Sequence, residues 1–159
     1  MTDHFDRSRS PFRERVQALA GHPTFREPAA GSTEQRTVPT DHMIAAALSF
    51  GRRDRDDIGP DIAIDMATGR RQHALRVCEA LGRALASDRS VLVKRMRPFI
   101  AIVAADAYGL LVDGRRYPVP EGASKDDWDT LVSAACLILE RLADDSLALA
   151  ARRWRQEAA

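Results

Sequence analysis

Residues 99–112 read FIAIVAADAYGLLV and form the longest apolar run in the chain. Apolar residues on nearly every side of a helix are typical of a helix that is buried on most of its faces. The run is shorter than the roughly 20 apolar residues that a helix needs to cross a bilayer. We therefore expect Phe99–Val112 to be the central helix of a bundle rather than a membrane span.

The dipeptide Asp113-Gly114 follows this run and leaves an alternative open. Asp-Gly between apolar segments is a strong signal for a two-residue β-hairpin. In that case Leu110–Val112 would pair with Arg115–Val119 in a short hairpin around residues 110–119. We favour the other interpretation, in which Gly114 ends the helix and an ordered loop follows.

Two short helices are predicted before the central run. The first covers residues 40–53 and is capped by Thr40 or Asp41, whose side-chain oxygens suit an N-cap. The second covers Pro60–Thr68, with proline in its first turn and Gly69 as its stop.

A third helix, Arg70–Ser87, is amphipathic because its apolar residues recur at spacings of three and four. A further segment follows the third helix, and Pro98 is expected to separate that segment from the central helix. The predicted core stripe of the third helix is Ala74, Leu75, Cys78, Leu81 and Leu85.

After the central run, Ser124 is placed to cap the last long helix, with acidic residues crowding its positive end. We expect a break at Asp144–Ser146 and a final helical stretch over Leu147–Gln156. The predicted core stripe of the long helix is Trp128, Leu131, Val132, Ala135, Ile138, Leu139 and Leu142.

The length of 159 residues suits one domain, and 45% hydrophobic residues suffice for a core. Alanine, the best helix former, occurs 26 times. Residues 1–39 are predicted as a flexible, proline-containing tail with one short helix at Pro11–Ala20, and residues 40–157 as the helical domain. The predicted fold class is therefore mainly α, a single compact bundle of about five helices.

The two cysteines, Cys78 and Cys136, lie far apart within apolar patterns. They suit buried small hydrophobes in a reducing compartment better than a disulfide framework. The N-terminus lacks the apolar stretch of a signal peptide. These features predict a cytoplasmic protein without a membrane partner.

Sequence motifs for catalysis or cofactor binding are weak. Residues 54–65 resemble the start of an EF-hand loop, with Gly59 at the sixth position, but Ile58 and Asp65 replace the oxygen ligand and the longer glutamate that calcium requires. The four histidines show no metal-ligand spacing, and no phosphate loop or nucleophile elbow is present. We therefore predict no catalytic, cofactor-binding or metal-binding residues and no cofactor, and an enzyme is the less favoured class.

Asp106 is the one charge inside the apolar run. Burying an unpaired charge is costly. The favoured interpretation is a structural pair with an arginine or a position at the edge of the bundle, and a functional role is the alternative.

Charge is distributed unevenly along the chain. Residues 69–97 hold eight basic and two acidic residues, whereas residues 121–146 hold seven acidic and two basic ones. The first set can pair with the second within the chain or between copies, or bind nucleic acid, or bind an acidic protein. The basic residues, which are the candidate contacts with nucleic acid or an acidic partner, are Arg70, Arg71, Arg76, Arg83, Arg89, Lys94, Arg95 and Arg97.

The turn at Gly69 also suggests a helix-turn-helix, with residues 70–73 at the N-terminus of a reading helix, where base contacts usually fall. The predicted helix Pro60–Thr68 argues against a helix-turn-helix, because Asp61 and Asp65 would repel a phosphate backbone.

The leading functional hypothesis is a non-enzymatic helical interaction protein, an adaptor, regulator or assembly subunit that binds a protein partner or itself. The amino-acid composition of the chain suits an accessory protein of a bacterium, phage or mobile element. The alternative is a nucleic-acid-binding regulator that uses the arginine-rich face, and the second alternative is a small enzyme without a recognisable motif.

Overall fold

A computed structural model describes residues 11–20 and 40–157. This part of the chain is a mainly α-helical bundle without strands, which confirms the predicted fold class. The helices are α1 (Pro11–Ala20), α2 (Asp41–Ser49), α3 (Gly59–Thr68), α4 (Ala74–Ala86), α5 (Val91–Met96), α6 (Ile100–Val112) and α7 (Lys125–Glu157), with a 3-10 turn at Arg97–Phe99 between α5 and α6.

The helix predicted at Pro11–Ala20 is present as α1. Phe12, Val16 and Ala20 are buried in the common core, and Arg15 forms a salt bridge of 3.0 Å with Asp144 on α7. The other residues of the predicted tail lie outside the described part of the chain.

The apolar run is the central helix α6, as predicted. It packs against α4 on one side and α7 on the other. Val103, Ala104 and Ala107 are fully buried. Pro98 lies in the 3-10 turn that separates α6 from α5, which confirms the predicted division.

The hairpin alternative at residues 110–119 is wrong. α6 ends at Val112, and Gly114 adopts the left-handed conformation (φ 80°) that glycine tolerates. Its backbone N–H donates to the carbonyl of Gly109 at 2.9 Å. The next segment folds back through a side chain, because the backbone N–H of Tyr117 donates to the Asp106 carboxylate at 2.8 Å.

The predicted break at Asp144–Ser146 is also wrong, because α7 continues through these residues. The buried residues Ala143, Leu147 and Ala150 prolong its core stripe, and this face packs against α3 and α2. The predicted stripe is too wide at Ile138, which is partly exposed.

α4 begins at Ala74 rather than Arg70, because the backbone N–H of His73 donates to Asp65 instead of entering a helix. Its predicted stripe is partly wrong: Leu75 is 74% exposed, and Val77 occupies the core instead. Because α4 starts four residues later than predicted, residues 70–73 do not form its first turn.

In the described residues, we find no helix that combines the length and apolar character needed to span a membrane.

Candidate functional site

Two carboxylates are buried one helical turn apart on α3. Asp61 is 2% exposed and Asp65 is 0% exposed. Residues four apart lie on the same helix face, so both point towards the junction of α3 with α4 and the α2–α3 loop. Each needs hydrogen-bond donors, because an unpaired charge in this position would be strongly destabilising.

Asp65 receives its donors from two other elements. One of its oxygens binds Nδ1 of His73 at 2.8 Å. The other accepts the backbone N–H of His73 at 2.8 Å and the hydroxyl of Tyr108, on α6, at 2.5 Å. Burial raises the pKa of Tyr108 well above its usual range, and the hydrogen bond to Asp65 raises it further. Asp65 therefore ties the start of α4 to the middle of α6.

Asp61 lies between two arginines. Nη2 of Arg52 donates to it at 2.7 Å, and Nε of Arg76 lies at 3.2 Å. Nε2 of His73 is 3.7 Å from the same carboxylate. The hydrogen bond to Asp61 raises the pKa of Arg52. Arg76 also donates to the backbone carbonyl of Arg55, so the network holds α4 against the α2–α3 loop.

A groove of about 510 Å³ lies beside this network, between the α2–α3 loop and the outward side of α4. It contains guanidinium, carboxylate and apolar groups together. We call it the α4 groove, and its lining is Asp56, Ile58, Gln72, His73, Leu75, Arg76, Glu79, Ala80 and Arg83.

The outward side of α4 carries groups without partners in the described residues. Glu79 precedes Arg83 by four positions, an order that favours an ion pair within a helix, yet neither side chain forms an ion pair or hydrogen bond there. Leu75 projects from the same side. At Gly82 an added Cβ would meet no heavy atom within 4 Å. No described residue covers this side of α4 at Gly82.

Four of the eight basic candidate residues are engaged within the chain. Arg70 lies 2.9 Å from Asp41, Arg71 lies 2.7 Å from Asp113, and Arg95 lies 3.0 Å from Asp127. Arg76 contacts Asp61, as described above. The hydrogen bond from Arg71 lowers the pKa of Asp113. In residues 11–20 and 40–157 the other four, Arg83, Arg89, Lys94 and Arg97, are exposed and form no ion pair.

These contacts do not support the helix-turn-helix interpretation. Arg70, Arg71 and His73, three of the four residues proposed to read bases, bind acidic residues of this chain. α4 begins only at Ala74 and packs chiefly on α6.

Asp106 pairs with an arginine, as the sequence predicted, and it is fully buried rather than at an edge. Nη2 of Arg116 donates to it at 3.1 Å, and Nε1 of Trp128 donates at 3.2 Å. The hydrogen bond to Asp106 raises the pKa of Arg116. This carboxylate therefore joins α6, the following loop and α7.

The prediction that both cysteines are buried is confirmed for Cys136 but only partly for Cys78. Cys136 is buried, with its Sγ 3.7 Å from the carbonyl oxygen of Ala107. Cys78 is partly buried, and burial raises the pKa of its thiol. A raised pKa disfavours the thiolate that a reactive cysteine needs.

The acids of the α2–α3 loop cap backbone groups. Asp57 accepts the N–H of Arg53 at 3.0 Å and that of Gly59 at 2.9 Å, and Asp54 accepts that of Asp56 at 2.8 Å. These bonds fix the loop wall of the α4 groove.

The sequence pattern paired Asp61 and Asp65 only as acids of one short helix and did not reveal that they form a cluster with His73. A signal was present, since two aspartates four apart on an otherwise apolar helix face the same side and each need donors when they are buried. The donors themselves come from residues 52, 73, 76 and 108, which no local pattern connects.

Comparison with known proteins adds no assignment, since neither a family model, a curated protein nor a solved structure matches the chain.

Proposed function

We propose that this protein is a helical interaction protein that associates with itself, an assembly subunit whose contact surface is the outward side of α4. The observation that carries the proposal is that this side of α4 bears an exposed Leu75, a glycine with open space beside it and two opposite charges without ion pairs in the described residues. A second copy related by a two-fold axis would place these features opposite one another, because an isologous interface requires one surface to match itself.

The shape argument rests on large and small residues along one stripe. Leu75 projects near the start of α4, whereas Ala86 and Ser87 are small and exposed at its end. In an antiparallel pair of α4 helices with the axis level with Leu81, Leu75 of each copy lies against Ala86 and Ser87 of the other. Gly82 lies next to the axis, where its missing side chain allows the helices to approach closely.

The charge argument uses the same axis. It sets Glu79 of one copy opposite Arg83 of the other, and this pair occurs twice. Both residues lack an ion pair within the described chain. Opposite charges facing each other across an interface fix register and disfavour other pairings.

The network beneath α4 supports this role. Asp65 and Asp61 fix His73 and Arg76, and so hold the start of α4 in place. A surface that is ordered before binding loses less conformational entropy on association. The mixture of charges in the α4 groove is consistent with a protein partner.

Sedimentation equilibrium tests the proposal. The wild-type chain is expected to form dimers. Leu75→Glu should weaken dimerisation by roughly 1,000-fold, since burying each leucine is worth about 2 kcal/mol and two are buried. Leu137→Glu is the matched control, because Leu137 is 65% exposed on α7 and lies outside the α4 surface.

Charge exchange gives the sharper result. Glu79→Arg alone and Arg83→Glu alone should each oppose like charges across the axis and weaken the dimer, whereas the double exchange should restore it. A wild-type chain that stays monomeric at high concentration contradicts the proposal, as does a double exchange that fails to recover association.

A further inference from the structure

Three exposed cations lie close together in the chain between α4 and α6. Arg89 precedes α5, Lys94 lies within it, and Arg97 follows it in the 3-10 turn. None of them forms an ion pair with a described residue. We call Arg89, Lys94 and Arg97 the basic corner.

The nearest charged residues have other partners than the basic corner. Arg95 is committed to Asp127 on α7, which anchors α5 from its other side. The nearest acid in sequence, Asp88, accepts the backbone N–H of Ser90 at 2.7 Å. Its carboxylate is directed to the turn rather than to the three cations.

The packing of α5 sets the direction of the cations. Val93 and Met96 are buried in the core, whereas Lys94 and Arg97 are exposed to solvent. Lys94 and Arg97 are three residues apart, about 4.5 Å along a helix axis, and therefore lie on one face. The core contacts of Val93 and Met96 and the salt bridge of Arg95 hold α5, and with it Lys94, in place.

We infer that the basic corner binds the phosphate backbone of nucleic acid. Double-stranded DNA carries one charge per about 1.7 Å of axis, so three exposed cations within residues 89–97 can each meet a phosphate. Arginine forks match phosphate oxygens in pairs. The corner offers no set of groups that would read bases, so binding is to the backbone, without sequence preference. It uses none of the residues of the α4 surface and is independent of the proposed self-association.

Fluorescence anisotropy with a short labelled DNA duplex tests this inference. Affinity should fall between about 50 and 200 mM salt, with a log–log slope of roughly −2 to −3, because each neutralised phosphate contributes about −0.9. The triple variant Arg89→Gln, Lys94→Gln, Arg97→Gln should bind at least tenfold more weakly, with a slope near zero.

The matched control removes three exposed cations elsewhere, by Arg53→Gln, Arg141→Gln and Arg152→Gln, and should keep wild-type affinity. Circular dichroism confirms that both triple variants are folded. The inference is overturned if the wild-type chain does not bind the duplex at low salt, or if the control loses as much affinity as the corner variant. It is also overturned if a labelled polyglutamate peptide binds as tightly as the duplex, since that result assigns the corner to acidic proteins.

Discussion

At the scale of single residues, the buried carboxylates determine which parts of the chain are joined. Asp106 is fully buried on α6 and binds Arg116, Tyr117 and Trp128. Its pairing with an arginine followed from the sequence, because a charge in an apolar helix must find a partner. Which arginine it binds did not follow, since Arg116 reaches it only after the chain reverses at Gly114.

Asp106→Ala tests this junction. The indole N–H of Trp128 would lose its acceptor inside the protein, and the loop that carries Arg116 would lose its anchor. We expect the free energy of unfolding to fall by about 2–4 kcal/mol, given the cost of unsatisfied buried groups. Urea denaturation measures the change. Asp126→Ala is the control and should cost under about 1 kcal/mol, because Asp126 is exposed and unpaired among the described residues. Equal losses in the two variants would contradict the assigned role.

At the scale of elements, α7 shows how tertiary packing overrides local sequence signals. Asp144, Asp145 and Ser146 suggested a break, yet the helix continues because Leu147 and Ala150 are buried against neighbouring helices. The α2–α3 loop comes close enough to α7 that the Gly51 position has no room for a side chain beside the carbonyl of Ser146. A long helix is stabilised here mainly by what packs on it.

Two glycine substitutions separate close approach from helix propensity. Gly51→Ala places a methyl group against the α7 backbone at Ser146 and should destabilise the protein by about 1–3 kcal/mol. Gly82→Ala meets open space within α4 and should stabilise it by about 0.5–1 kcal/mol. Thermal unfolding of dilute samples compares the two. The description of α7 packing fails if Gly51→Ala leaves the melting temperature unchanged.

At the scale of the whole molecule, one polar network links α3, α4 and α6 through the core. Tyr108 donates to Asp65, which also holds His73 at the start of α4.

Charge pairing between distant segments is less extensive than the sequence suggested. Arg95 and Asp127 join the basic and acidic segments, but Arg70, Arg71 and Arg76 bind acids outside the C-terminal helix. Net charge identifies regions of opposite sign, whereas packing selects the pairs.

The raised pKa of Tyr108 predicts alkaline destabilisation. In the unfolded chain the phenol titrates near about 10. Below that pH both states keep the proton, so stability does not depend on it. Above that pH only the unfolded state releases the proton, and the free energy of unfolding should fall by up to about 1.4 kcal/mol per pH unit. Urea denaturation from about pH 9 to 11 measures this slope. Tyr108→Phe removes the titrating phenol and should make the free energy of unfolding less dependent on pH in this range. An identical slope in both proteins would refute the raised pKa of Tyr108.

The sequence by itself determined the helical class, the central helix at residues 99–112, the helix stop at Gly69, the division at Pro98 and the need of Asp106 for a partner. Each of these depends on properties that neighbouring residues express locally: apolar periodicity, glycine and proline conformation, and the cost of burying a charge. Only the tertiary structure decided that Asp61, Asp65, His73 and Tyr108 form one cluster. It also decided which arginines pair with which acids and that Leu75 faces solvent. These features depend on which helices meet and in what register, and that is set by the packing of the whole core.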